Sequence, residues 1–115
     1  MLDVGLEFQA GVGGARLTPT QRQKLAIARA LLKRPDLLII NEATALLDNG
    51  SQSRLMDAIF KEAEGRTLIW VLHNAALAKR FDRVLVFAEG RLAEDAGAAD
   101  LERPGTLFAE LVAAA

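Results

Sequence analysis

The stretch that decides the fold is LTPTQRQKLAIARALLKRPDLLIINEAT, residues 17–44. A helix start signal stands near its beginning. Thr18 is a good N-cap, Pro19 suits the first helical position, and Gln21 sits three residues after Thr18, as a capping box requires. We predict a helix that begins after Thr18 and ends shortly before Pro35, which cannot continue it.

Apolar runs and helical segments alternate after this helix. Residues 37–40 (LLII) and 67–72 (TLIWVL) are short continuous apolar runs, typical of strands that are covered on both faces. Between them, residues 51–64 show helical spacing of their apolar side chains, and a short helix is predicted at 75–79. Strands that alternate with helices indicate an α/β fold with parallel strands.

The C-terminal third predicts a hairpin and a last helix. A strand at 84–88 is followed by the two-residue turn Glu89-Gly90 and a short second strand at 91–93. We therefore predict a mainly parallel sheet with an antiparallel edge hairpin. Residues 104–112 are predicted to form a helix. Its side chains predicted to face inward are Leu107, Phe108 and Leu111.

Composition limits the function classes. The chain has 115 residues, 51% of them hydrophobic, and a net charge of −1, which fits one small globular unit without a basic face for nucleic acid. The absence of cysteine excludes disulfides and thiolate metal sites. Residues 1–16, glycine-rich near their end, are predicted to be a linker or loop, and residues 17–115 the folded part.

Candidate catalytic residues follow the two predicted parallel strands. Glu42 ends the first strand and His73 the second, where open parallel sheets place their ligands. A carboxylate there can polarise a water for attack on phosphorus, and an imidazole can hold the transferred phosphoryl group. Asn41 stands where such sites usually have an aspartate that binds magnesium. Its amide can hydrogen-bond a magnesium-bound water but adds no charge against the cation. Asp48 can cap the next helix or line a shared interface.

Each of these residues also has an ordinary structural explanation. Glu42 alone fits a solvated strand end, His73 a hydrogen-bonded loop residue, and residues 18–21 a helix start with no bound anion. The basic residues of the first helix are spread around it, which favours a solvated face over a nucleic-acid groove. The occurrence of all these features in this order is far rarer than each alone, and it favours the functional interpretation.

The motifs resemble those of ABC transporter nucleotide-binding domains of the exporter type. Residues 18–32 resemble the signature motif and its helix, and residues 38–42 the Walker B strand. Residues 45–48 resemble the D-loop, and His73 the switch histidine. Similar to exporters are also the loop at 11–14, the segment 81–92 and the tail at 107–111. The resemblance covers nearly the whole chain.

The resemblance implies a partial P-loop NTPase (ABC ATPase) fold and a site for ATP and Mg²⁺ in the full-length protein. Glu42 would be the general base, His73 the switch that senses the γ-phosphate, and Asn41 would lie near the metal. The residues implied to contact nucleotide are Thr18, Pro19, Thr20, Gln21 and Asp48. The implied partners are a second nucleotide-binding domain, identical or not, and transmembrane domains, but no nucleic acid. The implied location is the cytoplasmic face of the membrane.

Departures from the family pattern suggest an attenuated site. No Gly-x-x-x-x-Gly-Lys-Ser/Thr occurs in the sequence, so the Walker A half is lacking and the chain alone is not expected to hydrolyse ATP. Pro19 and Thr20 replace the two signature glycines, the first as in some exporters, and Asn74 stands where an arginine commonly follows the histidine.

Two alternatives to an attenuated exporter ATPase stay open. A catalytically degenerate subunit could act as the interaction or regulatory half of a heterodimer. Thr20 and Asn41 favour this, whereas Glu42 and His73 oppose it. The second alternative is an ABC ATPase that acts on nucleic acid. The exporter-like tail and the lack of a basic patch make this alternative less favoured.

Overall fold

The computed structural model describes residues 5–41 and 48–115. The predicted general base, Glu42, and residues 45–47 of the D-loop segment lie outside the described residues. The chain divides into two compact units, Met1–Val71 and Leu72–Ala115. The predicted boundary between a linker at 1–16 and a folded part at 17–115 stays a prediction.

The described residues of the first unit form two helices and two strands. They are α1 (Pro19–Leu32), β1 (Leu37–Asn41), α2 (Asn49–Glu62) and β2 (Thr67–Val71), preceded by a single 3₁₀ turn at Val12–Gly14. Helix α1 begins after Thr18, as predicted. It ends at the C-cap Lys33, after which Arg34 takes a left-handed conformation (φ 47°) before Pro35.

Strands β1 and β2 pair in parallel, with Leu37 opposite Thr67 and Asn41 opposite Val71. Alternate residues of a strand point to opposite faces. The inner face carries the buried Leu38 and Ile40, which cluster with side chains of α1 and α2, including Ile59. The outer-face side chains, which are exposed, are Leu37, Ile39, Ile69 and Val71. The prediction that both strands are covered on both faces is wrong for the described residues, because both helices contribute to the cluster on the inner face.

The second unit is a hairpin with three helices. Its elements are α3 (Ala75–Ala78), β3 (Val84–Ala88), β4 (Arg91–Ala96), α4 (Ala98–Leu101) and α5 (Leu107–Ala114). The predicted turn is confirmed: Glu89 (φ 52°) and Gly90 (φ 74°) are both left-handed, as a tight hairpin requires. Strand β4 is longer than predicted, and α4 was not predicted.

The core of the second unit includes Phe108, which is 1% exposed. Leu107 and Leu111 were predicted to face inward beside it, and this is wrong, since they are 38% and 50% exposed. On α5 the core face is formed by Phe108 and Val112, which are four residues apart. Leu107 and Leu111 each precede one of these core residues by one position, so they lie about 100° around the helix from the core face.

The described strands form two separate two-stranded sheets, β1–β2 and β3–β4. The α/β class and the mixture of parallel and antiparallel pairing agree with the prediction. The single mainly parallel sheet with the hairpin at its edge does not occur among the described residues. Within the same residues, no helix has the length and apolar character needed to cross a membrane.

Candidate functional site

The N-terminus of α1 is closed by a reciprocal capping box. The Thr18 Oγ1 atom accepts a hydrogen bond from the Gln21 backbone N–H at 3.1 Å. In return, the Gln21 Oε1 atom accepts one from the Thr18 N–H at 2.9 Å. This arrangement is the predicted one, and it fixes both side chains at the start of a 14-residue helix.

The capping box leaves hydrogen-bond donors for a ligand. The Thr18 hydroxyl accepts in the box and can still donate its own proton, and the Gln21 side-chain amide can donate from its nitrogen. The positive end of the helix dipole lies at the same place. The chemistry of this donor set therefore fits a phosphate oxygen.

Thr20 occupies the second helical position of α1 and is half-buried. The described non-glycine residues with positive φ are Arg34 and Glu89, so neither Pro19 nor Thr20 takes a conformation that needs glycine. Threonine at this position therefore causes no backbone strain. Thr20 can therefore interfere with a ligand only sterically, through the volume of its branched side chain.

The loop before α1 closes onto the helix. Gly14 has a φ of 73°, and a Cβ placed there would lie 3.1 Å from the Cδ atom of Arg22. The stem of Arg22 therefore lies across Gly14, where a side chain would push it away. Leu17 is buried just before the cap, and its N–H donates to the Gly14 carbonyl at 2.9 Å. These contacts connect the glycine-rich loop to the start of α1.

The carboxyl end of β1 lies beside α1. Asn41 is exposed and lines a shallow groove together with Gln23 and Ala26 of α1. The Gln23 Oε1 atom is buried there and has no hydrogen-bond partner among the residues that the structure describes. An amide oxygen at Asn41 can hold a magnesium-bound water but brings no negative charge, so the described residues at this strand end fit the metal only weakly.

Asp48 is the N-cap of α2. One of its carboxylate oxygens accepts a hydrogen bond from the Ser51 N–H at 2.7 Å. This backbone hydrogen bond is the main reason why the pKa of Asp48 is lowered, with a smaller contribution from Arg54. The capping role predicted for Asp48 is confirmed, and its place at a shared interface stays a prediction.

His73 follows the last residue of β2 by two positions and belongs to the second unit. It is exposed and stands directly before Asn74, the N-cap of α3. The Asn74 Oδ1 atom accepts from the Ala76 N–H at 3.1 Å. This capping role of Asn74 was not predicted. The signal for its role was an asparagine before an alanine-rich segment.

Comparison with models of protein families gave no match. Curated relatives and solved structures did match. The chain is 44% identical over 110 residues to an ATP-dependent lipid A-core flippase of Xylella fastidiosa (strain Temecula1), a match that covers 96% of this chain and 19% of the relative. It is 40% identical over 107 residues to the flippase of Burkholderia orbicola, covering 93% of this chain and 18% of that protein.

A solved structure of a bacterial Atm1-family ABC exporter with ATP bound matches with a TM-score of 0.84. The sequence identity is 34%, and the match covers 93% of this chain and 19% of that chain. The chain belongs to the ABC exporter family. It spans about a fifth of the length of the exporters that it matches.

The structure thus places Thr18–Gln21, Asn41 and Asp48 in the first unit of this exporter segment and His73 in the second. It brings α1 and the end of β1 together at one groove. The roles assigned to these residues by the resemblance stay predictions.

Proposed function

We propose that this chain is the C-terminal half of an ABC exporter nucleotide-binding domain, which hydrolyses ATP to drive export at the cytoplasmic face of a membrane. The observation that carries the proposal is the 0.84 TM-score, at 34% identity, to an exporter solved with ATP bound. The names of the curated relatives support it, because they are described as ATP-dependent flippases.

The start of α1 would contact ATP that is held by the Walker A motif of a second nucleotide-binding domain. The Thr18 hydroxyl and the Gln21 amide are pre-positioned donors for the terminal phosphate, because the capping box fixes both of them. Asp48 would lie at the boundary between the two domains. Transmembrane domains of the same transporter would complete the assembly.

The end of β1 would provide the hydrolytic step in the domain's own site. Glu42 would take a proton from the attacking water as general base, and His73 would donate a hydrogen bond to the γ-phosphate. Mg²⁺, when bound, neutralises charge on the β- and γ-phosphates. Asn41 would orient a water on the ion without adding a carboxylate to its ligands.

A chimera tests this function directly. In the Xylella fastidiosa relative, the matching segment is replaced by this chain, and steady-state ATPase activity is measured. We expect activity above background, and a loss of about a hundredfold or more in Glu42→Gln, because that change removes the base and keeps the shape. A folded chimera whose activity is the same with and without Glu42→Gln contradicts the proposal.

A second candidate function is a non-hydrolysing subunit that binds ATP as the regulatory half of a heterodimer. The observations that favour it are the branched, half-buried Thr20 at the start of α1 and the uncharged Asn41 at the end of β1. This function predicts a chimera that binds ATP as tightly as the parent exporter but hydrolyses none. Equilibrium binding of a fluorescent ATP analogue, measured beside the ATPase rate, separates the two functions.

A further inference from the structure

The residue after His73 is bound twice to the helix that follows. The Asn74 side chain accepts from the Ala76 N–H at 3.1 Å, and its carbonyl oxygen accepts from the Leu77 N–H at 3.1 Å. Asn74 itself is half-buried in an extended conformation, with φ −81° and ψ 98°. The peptide that joins His73 to Asn74 is thus attached to a residue with little rotational freedom.

Helix α3 is attached in turn to the core of the second unit. Ala75 and Ala78 pack against the buried cluster that contains Phe108. The helix has only four residues, and helices of this length are not stable by themselves. Its order therefore depends on the packing at one side and on the Asn74 cap at its start.

We propose that Asn74 is a positioning residue that holds His73 in a defined place on the second unit. The proposal rests on the switch role proposed above for His73. An arginine at this position, as the resemblance leads one to expect, has no hydrogen-bond acceptor in its side chain and cannot cap α3. This chain therefore orients its histidine through a backbone cap, which an arginine cannot provide.

The test uses NMR on the 115-residue chain, where His73 is the sole histidine and its imidazole C–H signals are assigned without ambiguity. Asn74→Ala removes the cap, Asn74→Ser keeps an acceptor, and Thr106→Ala removes the cap of α5 in the same unit as a control. We expect Asn74→Ala to speed Ala76 amide exchange about five-fold. It should also move the His73 signals.

In Asn74→Ser, the Ala76 exchange rate and the positions of the His73 signals should return towards those of the unchanged chain. Thr106→Ala should leave the His73 signals in place. Two results overturn the proposal: faster Ala76 exchange with unmoved His73 signals, or an equal movement in Thr106→Ala. If Asn74→Ala does not fold, Asn74→Arg is the second variant without an acceptor, and the same outcomes apply. Neither measurement involves ATP, so an inactive chimera would refute the proposed function without affecting this inference.

Discussion

The two units stabilise their sheets by different means. In the second unit, polar contacts join neighbouring elements: the Glu94 carboxylate on β4 accepts from the Leu107 and Phe108 N–H groups at 2.9 Å each. Arg83 donates two hydrogen bonds to the Asp95 carboxylate at 2.7 and 2.6 Å. The hairpin is thereby connected to α5, and the residue that precedes β3 to β4.

The sheet of the first unit is stabilised mainly by its backbone ladder and by apolar side chains on the inner face. On the outer face Ile39 is 61% exposed and Ile69 48%. Parallel sheets are normally covered on both faces, and two-stranded sheets are marginally stable. The hairpin also has exposed apolar side chains, Leu85 at 47% and Phe87 at 66%. The difference between the units therefore lies in the polar contacts that join neighbouring elements of the hairpin unit.

The largest expected effect is on the core of the hairpin unit. Phe108→Ala removes the ring that is 1% exposed and should lower the free energy of unfolding by about 3–5 kcal/mol. If the units are independent, amide exchange should accelerate in residues 72–115 far more than in 19–41. The matched control is Leu111→Ala on the exposed side of α5, with a change of about 0.5 kcal/mol or less. Equal acceleration in both units would contradict the comparison.

Self-association should involve the outer face of the parallel sheet. An exposed apolar sheet face, and strand edges that have no partner in the described part of the chain, are surfaces on which a second copy can pair. A net charge of −1 gives little repulsion. The double change Ile39→Thr, Ile69→Thr should weaken self-association roughly tenfold to a hundredfold in sedimentation velocity. Leu32→Ser on α1, also exposed, serves as control. A concentration-independent monomer of the unchanged chain would show that this expectation is wrong.

Glu94 should account for part of the stability of the hairpin unit. Glu94→Ala removes two charge-assisted hydrogen bonds at the start of α5 and should cost about 1–2 kcal/mol in urea unfolding. Glu64→Ala, at an exposed turn in the other unit, should cost about 0.5 kcal/mol or less. If the two variants unfold at the same urea concentration, the contacts between β4 and α5 add nothing to stability.

The smallest effects should appear in acid. The pKa of Asp48 is lowered mainly by the Ser51 backbone hydrogen bond, and that of Asp95 mainly by the hydrogen bonds from Arg83. Because the folded pKa lies below the unfolded one, the stabilisation is present above about pH 4 and is lost as pH falls through the folded value. Asp48→Asn should reduce the loss of stability with falling pH that amide exchange reports in α2. Asp95→Asn should do the same for the amides of the hairpin. Unchanged acid profiles would contradict these assignments.

Local signals carried most of the correct predictions. The start of α1 follows from Thr18, Pro19 and Gln21 because a capping box is satisfied within four residues. The hairpin turn follows from Glu89-Gly90 in the same way, since two left-handed positions are needed there.

The errors concern contacts that are distant in sequence. An apolar run such as residues 37–40 shows that a strand prefers burial, but not what covers each face. The exposure of Leu107 and Leu111 depends on how α5 is seated, which Glu94 helps to determine from 13 and 14 residues away. No periodicity in the tail carries that information. The cap formed by Asn74 is a local feature and could have been predicted. It was missed because Asn74 was interpreted only as a departure from the family pattern.

A magnesium titration of ATPase activity in the chimera tests most directly whether this segment forms an attenuated exporter site. Asn41→Asp should lower the magnesium concentration at half-maximal rate, because it restores a carboxylate near the ion. Thr20→Gly should raise turnover at saturating magnesium, because it frees space at the start of α1. The account predicts these separate effects on midpoint and maximum. If neither substitution changes the rate or the midpoint, the departures at Thr20 and Asn41 are neutral and the attenuated site is contradicted.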